Sequence, residues 1–124
     1  MQPIGNKQTV FQSIASALRG WAHALRERSF LLLLLAGLIA LILLAIIHIS
    51  GPGWVISIIL IAVTLAAELF NTAIEELADA LIKEHHPGIA KVKELTAGAV
   101  LGLALTTLVV ISWLLWTVIH TRFL

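Results

Sequence analysis

Residues 54–81 read WVISIILIAVTLAAELFNTAIEELADAL. The stretch is long enough to cross a bilayer, and its polar end emerges where lipid meets water. Glu68 opens that end, and Asn71, Glu75 and Asp79 follow at helical spacing. At about 100° per residue the four positions fall within roughly 80° of arc. One helix face carries three carboxylates and an amide, while the outer half of the same helix suits lipid. A charge at mid-membrane depth costs on the order of 2.5–3.5 kcal/mol on insertion scales, and less near the interface. Charges kept in such a place mark a functional site by default.

The rest of the chain supports a membrane reading. Of 124 residues, 60% are hydrophobic and 12% charged, well beyond the roughly half-apolar composition of soluble domains. Apolar runs cover about 31–49, 54–67 and 97–119. A spanning helix needs about 20 apolar residues. The first and third runs suffice alone; the second suffices once Glu68 to about Asn71 sits in the interface. Spans are expected at about 30–49, 54–71 and 97–119. Arg19, Arg26 and Arg28 ahead of the first run resemble the start of a signal peptide. The run is too long for that, and no small-residue cleavage site follows it. Ser50-Gly51-Pro52-Gly53 reads as a tight turn between the first two spans.

Lys and Arg set orientation. Lys7, Arg19, Arg26 and Arg28 precede the first span, and Lys83, Lys91 and Lys93 lie in the link before the last. Beyond it there is only Arg122. This places the N-terminus and the charged link in the cytoplasm and the C-terminus outside. Trp54, Trp113 and Trp116 then fall toward the outer interface, as aromatic belts do. Net charge is +1, and no nucleic-acid partner is expected. With no cysteine, no disulfide framework or thiol chemistry is available.

Before the first span, Val10, Phe11, Ile14, Leu18, Trp21 and Leu25 recur at three- and four-residue steps. Gln12, Ser16, Arg19, His23 and Arg26 lie between them. This is an amphipathic helix over about 9–28, suited to lying on the cytoplasmic leaflet. The expected fold is an all-α membrane protein: that surface helix plus three transmembrane helices in a single domain. The chain is too short for two domains.

All seven acids gather at the cytoplasmic side: Glu27, Glu68, Glu75, Glu76, Asp79, Glu84 and Glu94. So do all the Lys and Arg residues except Arg122. Such a cluster has two readings. One is a solvated helix end with interhelical ion pairs, which spacing alone favours. The other is a site for a hard divalent cation. Magnesium takes one or two carboxylates plus substrate phosphates, Lys93 would pair with a phosphate, and Glu68 would serve as base for a hydroxyl at the interface. His85-His86-Pro87-Gly88 reads as a helix stop and turn, because adjacent histidines do not face one another as an i, i+4 pair does. The small residues Ala97, Gly98, Ala99, Gly102 and Ala104 suit close helix packing. There is no Gly-rich phosphate loop, no Ser-His-Asp arrangement and no His-Glu-x-x-His.

At these residues the chain resembles the small integral-membrane lipid kinases of bacteria, diacylglycerol kinase and undecaprenol kinase. Glu68-Leu-Phe-Asn71-Thr72-Ala73-Ile74-Glu75 followed by Asp79 is similar to the family motif E-x-x-N-[ST]-A-I-E-x-x-x-D, without a gap. Lys93 followed by Ala97-Gly98-Ala99-Val100 is a second match. Arg19-Gly20, with Glu27 and Phe30 ahead of the first span, is a third. The resemblance covers nearly the whole chain, and the length of the first motif decides for a site over a solvated helix end.

The resemblance implies transfer of the γ-phosphoryl group of ATP to a lipid hydroxyl, with magnesium as cofactor. It implies Glu68 as general base, Glu27 and Glu75 as metal carboxylates, and Lys93, Glu94 and Glu75 toward the nucleotide. Asn71 and Asp79 are implied as supporting residues. It also implies a homotrimer with sites between subunits, in the bacterial cytoplasmic membrane. The chain departs from the family pattern at Glu94, where Asp is usual, and at Gln12, where a basic residue is usual. The Gly20-to-Glu27 spacing is one residue shorter. His85-His86-Pro87 and the Ala-Gly-Ala-Val stretch lean toward the undecaprenol branch. The competing reading is a non-enzymatic helical membrane protein, a pore-former or assembly subunit. Such a scaffold has no reason to keep Glu68, Asn71 and Glu75 together beside Glu27.

Overall fold

The computed structural model describes residues 9–124; Lys7, used above for orientation, lies outside them. The described residues form four helices: α1 (Val10–Ala24), α2 (Arg28–Ile46), α3 (Gly51–Leu81) and α4 (Pro87–Phe123). Three of them, α2, α3 and α4, are long and apolar enough to cross a membrane. Most of their large apolar side chains face outward, Leu35, Ile42, Ile59, Leu108 and Val109 among them. Lipid is the solvent that such a surface requires.

Helix α1 starts at a capping box. Thr9 Oγ1 accepts from the Gln12 backbone N–H, and Gln12 Oε1 accepts from the Thr9 backbone N–H at 2.9 Å. Gln12 is a residue at which the chain departs from the family pattern, and here its side chain closes the helix start. Trp21 meets Phe30 edge to face, with ring centroids 5.8 Å apart. Phe30 is buried with Ala24 and Leu65, so the surface helix is pinned to the start of α2 and the middle of α3.

The turn after α2 is not where the glycines suggest. Ser50-Gly51-Pro52-Gly53 was expected to be a turn, but Ser50 is the N-cap of α3 and the next three residues are its first turn. Proline belongs at the first helical positions, where its missing N–H costs nothing and its fixed φ fits. The reversal lies one step earlier. The His48 N–H donates to Ala45 O at 3.1 Å and the Ile49 N–H to Leu44 O at 3.2 Å. His48 has φ 55°, and Ile49 packs on Leu44. This is a Schellman ending with His in the left-handed position that glycine usually fills. Arg122, from the far end of α4, donates to Ile47 O at 2.8 Å and His48 O at 3.1 Å.

The second correction is similar. Pro87-Gly88 does not stop a helix but begins α4, with His86 as its N-cap accepting from the Gly88 N–H at 3.0 Å. Lys91, Lys93 and Glu94 therefore stand on a helix that starts well before the apolar run at Ala97. Helix α3 likewise runs on to Leu81. At 1.5 Å per residue, its 31 residues extend about 46 Å, against a hydrocarbon core of about 30 Å. The surplus, about 16 Å, is the length of helix that carries Glu75 and Asp79 beyond the apolar run.

Helix α3 packs between α2 and α4. Gly37 lets α2 approach α3 closely; a Cβ there would lie 2.8 Å from Ile61 Cγ2. Thr64 and Thr107 join α3 to α4, their hydroxyls 3.0 Å apart; one donates to the other, and the accepting hydroxyl spends its own proton on a carbonyl of its own helix. In lipid such a pair leaves no polar group facing hydrocarbon, and bonds of this kind average about 0.6 kcal/mol.

Candidate active site

Glu68 is 4% exposed. Its Oε1 accepts a hydrogen bond from the Ser29 hydroxyl, in the first turn of α2. The start of one transmembrane helix thereby holds the carboxylate on another. One turn further along α3, Asn71 is also buried, at 8%. Asn71 Nδ2 donates to Glu75 Oε1 at 3.4 Å, while Asn71 Oδ1 is buried without a partner among the described residues. Two turns beyond Asn71, Asp79 forms an ion pair with Lys93 of α4. The face predicted from periodicity therefore meets three different neighbours: Ser29 at Glu68, its own helix at Asn71 and Glu75, and α4 at Asp79.

Glu27 sits at the N-cap of α2, and its side chain makes no capping bond. The helix start leaves that carboxylate for other partners. Glu27 lines a cavity of about 680 Å³ between α1 and α3, together with His23, Arg26, Thr72 and Glu76. Glu75 is not on this wall. It lies about 100° around α3 from Glu76 and faces Asn71. The sequence reading paired Glu27 with Glu75; within one chain the cavity pairs it with Glu76. Among the described residues, no three His, Asp or Glu side chains come together as a metal site. Glu94 is exposed beside Lys93.

Ser29 and Glu76 are the residues that sequence reasoning missed. Ser29 has no periodic partner, and only the packing of α2 on α3 brings it to Glu68. Glu76 was counted among the acids but assigned nothing, because it lies off the arc that defines the acid face.

The model of the family described as prokaryotic diacylglycerol kinase matches residues 15–115. That interval runs from the middle of α1 deep into α4, most of the chain, and the chain belongs to this family. It is a multi-pass membrane protein and an enzyme, a lipid kinase of the diacylglycerol or undecaprenol kinase type. No curated protein and no solved structure matches it.

Proposed function

We propose that the chain transfers the γ-phosphoryl group of ATP to the hydroxyl of a membrane lipid, diacylglycerol or undecaprenol. The observation that carries this reading is Glu68, a buried carboxylate at the inner end of the apolar part of α3, with Asn71 and Glu75 next on its face. A lipid hydroxyl lies at that depth. Glu68 takes its proton as the oxygen attacks the γ-phosphorus. The new O–P bond forms while the bond from phosphorus to the β–γ bridging oxygen breaks, and ADP leaves. Glu68 then gives its proton to water.

Phosphoryl transfer asks a protein mainly for positioning and charge neutralisation, which a chain of this size supplies without a phosphate loop. Lys93 is the cation for the phosphates. Its pair with Asp79 is partly exposed, at 34% and 67% for the two side chains. Such pairs contribute about 0–1 kcal/mol, so a polyphosphate competes with Asp79 for the ammonium. The donors also fit magnesium, which takes one or two carboxylates beside substrate phosphates and waters. Glu27 and Glu75 are of that class and would hold the ion; because Glu75 is off the cavity wall that Glu27 lines within one chain, the two would have to come from neighbouring subunits. Asn71 Oδ1, buried without a partner among the described residues, is a further oxygen. Magnesium held by these groups would neutralise charge on the phosphate oxygens.

The N-terminus faces the cytoplasm in this reading, following Lys and Arg. The working unit is a homotrimer with sites between subunits, in the bacterial cytoplasmic membrane. Gly98 and Gly102 support an assembly: among the described residues nothing comes within 4 Å of a Cβ placed on either. That leaves the small-residue side of α4 open to a second copy. The test is purified protein in detergent with γ-labelled ATP and magnesium, offered diacylglycerol and undecaprenol in separate reactions. Label in one lipid names the acceptor; label in neither rejects the reading.

A further inference from the structure

We infer that Ser29 is a positioning residue for the general base, holding one oxygen of Glu68 so that the other meets the lipid hydroxyl. The inference rests on the reading of Glu68 as base. Ser29 Oγ donates to Glu68 Oε1 across two helices. A hydroxyl has one proton to donate, so it occupies one carboxylate oxygen and leaves Oε2 to accept from substrate. A glutamate has several rotatable bonds, and burial alone does not choose which oxygen faces the substrate. Fixing Oε1 removes that freedom before substrate arrives, which is the pre-organisation that proton transfer at a defined distance requires.

The position of Ser29 adds a second consequence. It lies two residues after Glu27, in the first turn of the helix whose N-cap position Glu27 occupies. The backbone that places the Glu27 carboxylate at the α1–α3 cavity also places the hydroxyl on Glu68. Base and cavity wall are held in register by one turn of α2. Ser29 is itself exposed and is not the helix cap, so removing its hydroxyl leaves no cavity in the protein and no uncapped helix end.

Three variants test this in the labelled-phosphate assay: Ser29→Ala, Ser29→Thr and Glu68→Gln, with Ser29→Ala also placed in the Glu68→Gln background. A misplaced catalytic group costs up to about 10²-fold in rate. Ser29→Ala is expected to lower kcat tenfold or more, with KM for ATP and for lipid unchanged. Ser29→Thr, which keeps the hydroxyl at an exposed position with room for a methyl, is expected to restore most of kcat. In the Glu68→Gln background, Ser29→Ala is expected to cost nothing further, because residues acting as one unit are not additive. Wild-type kcat in Ser29→Ala, or a loss that threonine does not rescue, overturns the inference while an inactive Glu68→Gln leaves the base reading standing. An active Glu68→Gln overturns both.

Discussion

Each charged side chain of the acid face of α3 has its own physical circumstance. Glu68 is buried and held by Ser29, Glu75 bonds to Asn71, and Asp79 leans on Lys93. The different surroundings suit different tasks: a proton acceptor at the lipid boundary, an oxygen ligand beyond it, and an exchangeable counter-ion in water. If Glu27 and Glu75 both serve magnesium-dependent nucleotide binding, Glu27→Ala and Glu75→Ala each weaken binding of a non-hydrolysable ATP analogue in the presence of magnesium. Without magnesium the variants and the wild type bind alike. Calorimetric titration of the detergent-solubilised protein checks this, and a Glu27→Ala variant with undiminished magnesium-dependent affinity removes Glu27 from the metal. The Glu68–Asp79 face was legible in sequence because helical periodicity alone puts these residues on one arc. Ser29 was not, since 39 residues separate it from Glu68 along the chain and no local pattern encodes a contact between helices.

At the scale of elements, the three spans were legible from apolar runs, and their ends were not. Both errors came from proline and glycine. Gly51-Pro52-Gly53 and Pro87-Gly88 read in sequence as breaks, while in the fold each begins a helix. Proline at the first turn and proline after a helix look alike in sequence, and what separates them is the cap before it, Ser50 or His86. The true reversal is at His48, whose left-handed backbone has no glycine to betray it. A residue with a Cβ pays about 1–2 kcal/mol in that conformation. His48→Gly is therefore expected to raise stability by about 1 kcal/mol, read as a higher midpoint in denaturant titration of detergent-solubilised protein. Gly37 predicts the opposite sign. Alanine there drives a methyl against Ile61, and overpacking of this kind costs about 1–3 kcal/mol, so Gly37→Ala should lower the same midpoint.

For the whole molecule, three spans and a surface helix make a thin enclosure for a nucleotide and a lipid together. Packing against further copies would keep the charged helix ends from lipid. In the proposed assembly, symmetric closure would give a trimer or another cyclic number. Gly98→Leu and Gly102→Leu place bulk on the open side of α4, where the described residues offer no neighbour. They are expected to reduce the oligomer mass measured by light scattering while leaving helix content intact. Mixing an inactive Glu68 variant with an inactive Lys93 variant should regain part of the activity if the two residues come from different subunits. The central claim, that a carboxylate at the lipid boundary drives phosphoryl transfer to a lipid, is tested most directly by the initial rate of label transfer from γ-labelled ATP. Wild type and Glu68→Gln are compared at saturating lipid and magnesium, with ATP binding measured in parallel. The account predicts unchanged ATP affinity and a loss of about 10²–10⁴-fold in rate. A Glu68→Gln rate near that of the wild type would contradict it.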